Sequence, residues 1–240
     1  MQFRFKGRIP DDDTMHQVYP FRAEGLGPAP GCVSVPGVGC VQQYAPTVRG
    51  ANAGYDPAGD CDGFFTSYKY QVHNNCYNYA VDIATNTFAH PGRLHGLAYN
   101  GDLDGDMVVG GAQKDGLILI AGSEATLEDV WNKTPEFCDS PNGHLVALLI
   151  GAPDHSIKFH GDFHWVRCDE FESSSWSQKD GPDQITTLDF AGYPISDPHR
   201  ANWTDNAGPF YTTTPGAPDF IISYKFWAWM FVPHRGVDII

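Results

Sequence analysis

The stretch Asn74-Asn75-Cys76-Tyr77-Asn78-Tyr79-Ala80-Val81-Asp82-Ile83-Ala84 decides how the rest of the chain is read. Tyr79, Ala80, Ile83 and Ala84 recur at helical spacing, and Asn74 or Asn75 offers a side-chain oxygen suited to an N-cap. The pattern predicts a helix with Cys76 in its first turn. His90-Pro91-Gly92 is a stop signal beyond it. A second, weaker helix is expected from Glu124 to Trp131, with Ser123 as its cap.

Strand signals dominate the sequence that follows. His144-Leu-Val-Ala-Leu-Leu-Ile150 is a short apolar run of the buried-strand type. Further strands are expected from Ile157 to Cys168, from Trp176 to Lys179, and over the β-prone run Tyr224 to Val232. Gly181-Pro182 and Gly192-Tyr-Pro194 punctuate the intervening chain. Upstream, Pro20, Pro28, Pro30, Pro36, Pro46 and Pro57 recur among glycines without helical periodicity. The expected organisation is an irregular Pro/Gly-rich arm over 1–65 and one α+β domain over 66–240, with a cysteine-bearing helix packed on an antiparallel sheet.

Composition narrows the function classes. The 240 residues carry 29 Asp plus Glu against 15 Lys plus Arg, a net charge of −14. Nucleic acid and anionic membrane both select clustered Lys and Arg, so neither is expected as a partner. Charged residues are 18% and hydrophobic residues 42%, too apolar for a disordered acidic tail. No apolar run approaches the length of a membrane span, and Met1 to Asp13 lacks the apolar core of a signal peptide. A secreted or particle-associated location stays open. Among the six cysteines there is no C-x-x-C pair, while Cys32 and Cys40 flank a Gly/Pro/Val loop and could bridge.

The chemistry candidates follow from that order. A thiol at a helix N-terminus faces unpaired N–H groups and the positive end of the dipole, which favour thiolate. Cys76 is therefore the candidate nucleophile, with the nearby N–H groups as oxyanion donors. His164, on the second long strand, is the candidate base. Pairing Cys168 with Ser174 in a hairpin places His164 opposite Gln178, whose amide could orient the imidazole. Asp180 and Asp189 are fallback orienters, and Gln71 is an oxyanion candidate.

These residues resemble the papain-like cysteine hydrolases, and more narrowly their NlpC-type branch. The resemblance rests on Asn75-Cys76-Tyr77-Asn78-Tyr79-Ala80, Phe88-Ala89-His90-Pro91-Gly92, Gly161-Asp162-Phe163-His164 and Trp176-Ser177-Gln178-Lys179. It spans residues 66–200. It implies hydrolysis of a peptide or amide bond through a thioester, with no cofactor, by Cys76, His164 and Gln178.

Two rival readings come from other classes. His160, Asp162 and His164 alternate along one strand and share a face, a candidate metal set. Against it, His160 and His164 would lie about 13 Å apart along an ideal strand. Asp102, Asp104 and Asp106 resemble half a calcium loop. They lack its glycine and glutamate, so they read as a solvated acidic turn. The second rival is a non-catalytic coat or surface protein that keeps a papain-like core and self-assembles through the N-terminal arm. Asn132-Lys-Thr134 and Asn202-Trp-Thr204 fit glycosylation sequons.

Overall fold

Eight apolar or small residues in the run Gly143–Gly151 form a strand buried along almost its whole length. A strand buried on both faces reads as a continuous apolar run, and this one stands at the centre of the architecture. The computed structural model describes residues 31–49, 65, 70–138, 142–172, 174–208 and 220–240. Most of the expected N-terminal arm, with Cys61, lies outside the described residues.

In chain order the strands are β1 (Gly31–Val35), β2 (Gly39–Gln43), β3 (Val48–Arg49), β4 (Ile83–Ala84), β5 (Ile118–Gly122), β6 (Gly143–Gly151), β7 (Asp162–Glu170), β8 (Ser175–Lys179), β9 (Ile185–Thr186), β10 (Thr204–Gly208) and β11 (Phe220–Pro233). The helices are α1 (Cys76–Ala80), α2 (Gly105–Lys114), α3 (Leu127–Lys133) and α4 (Pro135–Cys138). The main sheet is antiparallel, in the order β10-β11-β6-β7-β8-β9, and β5 pairs with the far half of β11. The class is α+β.

Alternation along β6, β7 and β11 splits the core into two layers. Val146, Leu148, Ile150, Phe163, Trp165, Ala228, Met230 and Val232 face one side, packed against α1 and α2. Leu145, Ala147, Leu149, Val166, Cys168, Trp229 and Phe231 face the other, packed against Val130 of α3, Cys138 of α4 and a loop carrying Phe190, Ile195 and Trp203. The sheet is thus filled on both faces.

Local structure departs from expectation at three helices, and at α3 the start is Leu127 under a Thr126 cap rather than Glu124 under Ser123. The helix at Cys76 stops after five residues, because Val81 and Asp82 leave the helical path and Ile83–Ala84 pair with Val48–Arg49. Helix α2 was not signalled by periodicity. Its glycines, Gly105, Gly110 and Gly111, weaken helix propensity. Close packing explains two of them: a Cβ on Gly105 would meet the Trp227 indole at 2.3 Å, and one on Gly111 would meet the Pro91 carbonyl at 2.6 Å. The acidic run before α2 is partly a cap, since the Asp104 carboxylate accepts from the Asp106 N–H.

Near the chain start, β1 and β2 form a hairpin closed by the Cys32–Cys40 disulfide, the bridge that their spacing allowed. At the end of α2, buried Asp115 ties three segments together. Its Oδ2 accepts from the Tyr77 hydroxyl at 2.8 Å and from the Gly92 N–H at 2.7 Å. Burial raises this carboxyl to about 7, against the lowering effect of those two donors.

Between about pH 4 and 7 the folded state therefore keeps a proton that the unfolded chain releases. The stabilisation is complete below about pH 4 and is lost as pH rises through 7. In urea titrations the wild type should lose roughly 2–4 kcal/mol relative to Asp115→Asn between these limits. Parallel stability curves for the two proteins would remove Asp115 as the source.

Candidate functional site

The Asn-rich turn ahead of α1 is a closed polar knot. Asn75 caps the helix, its Oδ1 accepting from the N–H groups of Tyr77 and Asn78, both at 3.1 Å. Asn78 Oδ1 accepts in return from the Asn75 N–H and from the Ala89 N–H. Asn78 Nδ2 donates to the Ile83 carbonyl and to Thr85 Oγ1. Asn74 and Asn86 bond to each other through side chain and backbone. All four asparagines are fully buried. Their use of nearly every donor and acceptor makes this stretch rigid, and it fixes where Cys76 points.

Cys76 points into the sheet. It is 2% exposed, and its thiol donates to the Phe163 carbonyl at 3.8 Å. It belongs to the core layer of Phe163 and Trp165. Burial, reinforced by the negative charge of Asp162, drives its proton affinity well above that of an ordinary thiol. Burial outweighs the lowering expected from the helix start, because a five-residue helix offers a weak dipole and the sulfur is desolvated.

His164 lies on the other side of the sheet. Its neighbours Phe163 and Trp165 face Cys76, so strand alternation sends the imidazole into the opposite layer. There it packs on Phe190, Trp203 and Tyr224, with centroid separations of 5.3, 5.8 and 5.9 Å. Burial holds the ring neutral, with a pKa of about 4, against a smaller upward pull from Gln178. The structure brings His164 and Gln178 together, but it does not bring either to Cys76.

The hairpin register differs by two residues from expectation. Cys168 pairs with Trp176 and Val166 with Gln178. A shift of two preserves the face, so Gln178 remains on the His164 side, one pair further along. Its Nε2 donates to the Leu188 carbonyl at 2.9 Å. Gln71 is tied at both ends of its amide, to the Pro182 carbonyl and to Gln184 Nε2. Asp189 is a loop anchor, accepting from the N–H groups of Ala191, Tyr193 and Asn202. Asp180 follows β8 and acts on Cys76 only as a negative charge that raises the thiol further.

Two residues next to this region, quoted within motifs, were given no role at the site from sequence. Lys179 is fully buried, and its ammonium donates to the carbonyls of Gln71, Asn74 and Gly181 at 2.6, 2.5 and 2.7 Å. It clamps β8 to the turn that precedes α1. A lysine at the end of a strand gives no sequence signal of burial. His90 is set edge-on to Tyr99 and to Phe163, a residue of the layer that holds Cys76. Burial lowers it to about 3, which makes it a weak base.

The proposed metal trio is also redistributed. Asp162 accepts from the Tyr224 hydroxyl at 2.8 Å and from the Phe163 N–H at 2.8 Å. His160 precedes β7 and bonds to Asp102 instead, at 3.0 Å. With His164 buried in the aromatic layer, His160, Asp162 and His164 do not converge.

These surroundings disfavour the thiolate form of the three free thiols among the described residues. Cys76, Cys138 and Cys168 are all buried, and burial raises each of them. Iodoacetamide at pH 6–8, read by peptide mass spectrometry, should label none of the three in the native chain and all three in urea. Fast native labelling of Cys76 that slows in His164→Ala would contradict this arrangement.

No family model matches the chain, and no solved structure matches it. One curated relative does: insoluble matrix shell protein 1 of Ruditapes philippinarum, 34% identical over 132 residues. The alignment takes in 55% of this chain and 72% of that protein. The chain therefore belongs to the family of insoluble matrix shell protein 1.

Proposed function

We propose that this protein is a non-catalytic structural component of an insoluble shell matrix. The relationship to insoluble matrix shell protein 1 carries the reading. Three physical features support it. The candidate nucleophile is buried with its proton affinity raised, and the candidate base sits across the sheet from it. The net charge of −14 keeps separate chains apart by self-repulsion, and carboxylates bridged by divalent cations would reverse that. The asparagine knot and the disulfide-closed hairpin are rigidifying devices, suited to a scaffold rather than to a moving active site.

The order of a cysteine-bearing helix followed by an antiparallel sheet also supports a papain-like ancestry for the core, retained here without chemistry. In this reading the partner is the matrix itself, including further copies of the chain, and self-association through the N-terminal arm belongs to the proposal.

The test is fractionation of the source organism's shell or equivalent matrix, followed by peptide mass spectrometry. The chain should be recovered in the fraction that stays insoluble after acid demineralisation. The purified protein should show no turnover of a peptide and amide substrate panel. Recovery only from soluble tissue extract, with turnover that disappears in Cys76→Ala, would overturn the reading in favour of a cysteine hydrolase.

A further inference from the structure

Outside the core, two connections meet at the entrance to β7. One is the loop that leads into α2 and carries Asp102. The other joins β6 to β7 and carries His155 and His160. Backbone bonds hold both in place. Asp154 and Phe159 exchange N–H···O bonds at 2.9 and 3.0 Å, closing a tight turn that contains His155 and is followed directly by His160. Lys158 takes the left-handed conformation that this turn requires, with φ of 59°. The Asp154 carboxylate accepts from the Ser156 N–H, which fixes the short 3-10 turn holding His155. The Leu103 N–H donates to the His160 carbonyl at 2.6 Å, so the Asp102 loop is clipped to the histidine turn.

The side chains converge. His155 Nε2 lies 3.1 Å from Asp102 Oδ2, and His160 Nδ1 lies 3.0 Å from Asp102 Oδ1. One ligand atom from each residue falls within 4.8 Å of the others. All three residues are exposed, so an ion can reach them from solvent.

Donor chemistry selects the ion. Zinc takes imidazole nitrogen and carboxylate oxygen at about 2.0–2.2 Å, which places tetrahedral ligand atoms roughly 3.4 Å apart. The two His–Asp separations run to different oxygens of Asp102, and the set with one ligand atom per residue, within 4.8 Å, closes to that edge length by rotation of exposed side chains. Calcium and magnesium prefer sets made only of oxygen, and two imidazoles out of three ligands disfavour both. As exposed His–Asp pairs alone, these contacts would add little to stability.

We propose that Asp102, His155 and His160 form a binding site for one divalent transition-metal ion of the zinc class. Three protein ligands leave the fourth position to water or to a group from another molecule. The site is separate from Cys76 and does not depend on the structural-matrix reading. Of the residues grouped from sequence periodicity it keeps only His160.

The test titrates Zn²⁺ into the metal-free full-length chain by calorimetry and uses Co²⁺ as a visible-absorbance probe. One ion per chain should bind, and the Co²⁺ complex should show the intense absorption of a four- or five-coordinate site. His155→Ala, His160→Ala and Asp102→Asn should each weaken Zn²⁺ binding at least about tenfold. His199→Ala, which removes an imidazole elsewhere, should leave it unchanged. Matching urea midpoints would show that all variants fold. Wild-type affinity in the three variants, absence of saturable one-ion binding, or equal displacement by Ca²⁺ would each overturn the proposal.

Discussion

Side chains on a strand alternate between its faces, and here the central strands are buried on both. β6, β7 and β11 each send one set of residues toward α1 and α2 and the other toward α3, α4 and the Phe190–Trp203 loop. Nothing on these strands can move to the other layer without a one-residue slip, which would exchange both cores at once. Phe163 and Trp165 receive Cys76, and for the same reason His164 cannot.

A second contest is settled at Cys76, between helix dipole and burial. The N-terminus of a helix lowers a thiol pKa only where the helix is long enough to sum its dipoles and the thiolate can be solvated or paired. Helix α1 has five residues, and the sulfur sits against the Phe163 carbonyl inside an apolar layer. Desolvation dominates, reinforced by the charges of Asp162 and Asp180. The nearby ammonium of Lys179 opposes it, as the smallest of these contributions. The turn that carries Cys76 is, in three dimensions, a hydrogen-bonded joint between α1, β4 and β8, made by the buried asparagines and Lys179.

The surface and the core therefore have different roles. The core is buried and rich in aromatic side chains. The exposed connections carry the groups that solvent and ions can reach, and Asp102, His155 and His160 are held there by backbone bonds rather than by packing. Family membership with insoluble matrix shell protein 1 fits that division.

Much of this was legible in the sequence. The apolar run at Leu145–Ile150, the β-prone segment at Tyr224–Val232, the Asn75 cap and the Cys32–Cys40 bridge all follow from local rules of periodicity, capping and spacing. The presence of Gln178 on the His164 face was legible too, because a register error of two residues preserves the face. What local rules could not decide was which layer each face would join. Helix α2 escaped notice because its glycines serve contacts with Trp227 and Pro91, which no local pattern records. His160 was singled out, but its partners were sought along its own strand, whereas Asp102 reaches it across 58 positions of chain. The sequence by itself determined the strands, the cap and the charge, because these depend on neighbours a few residues apart. Only the tertiary structure decided that Cys76 and His164 stand on opposite sides of one sheet and that Asp102 meets two histidines, because both depend on how distant segments pack.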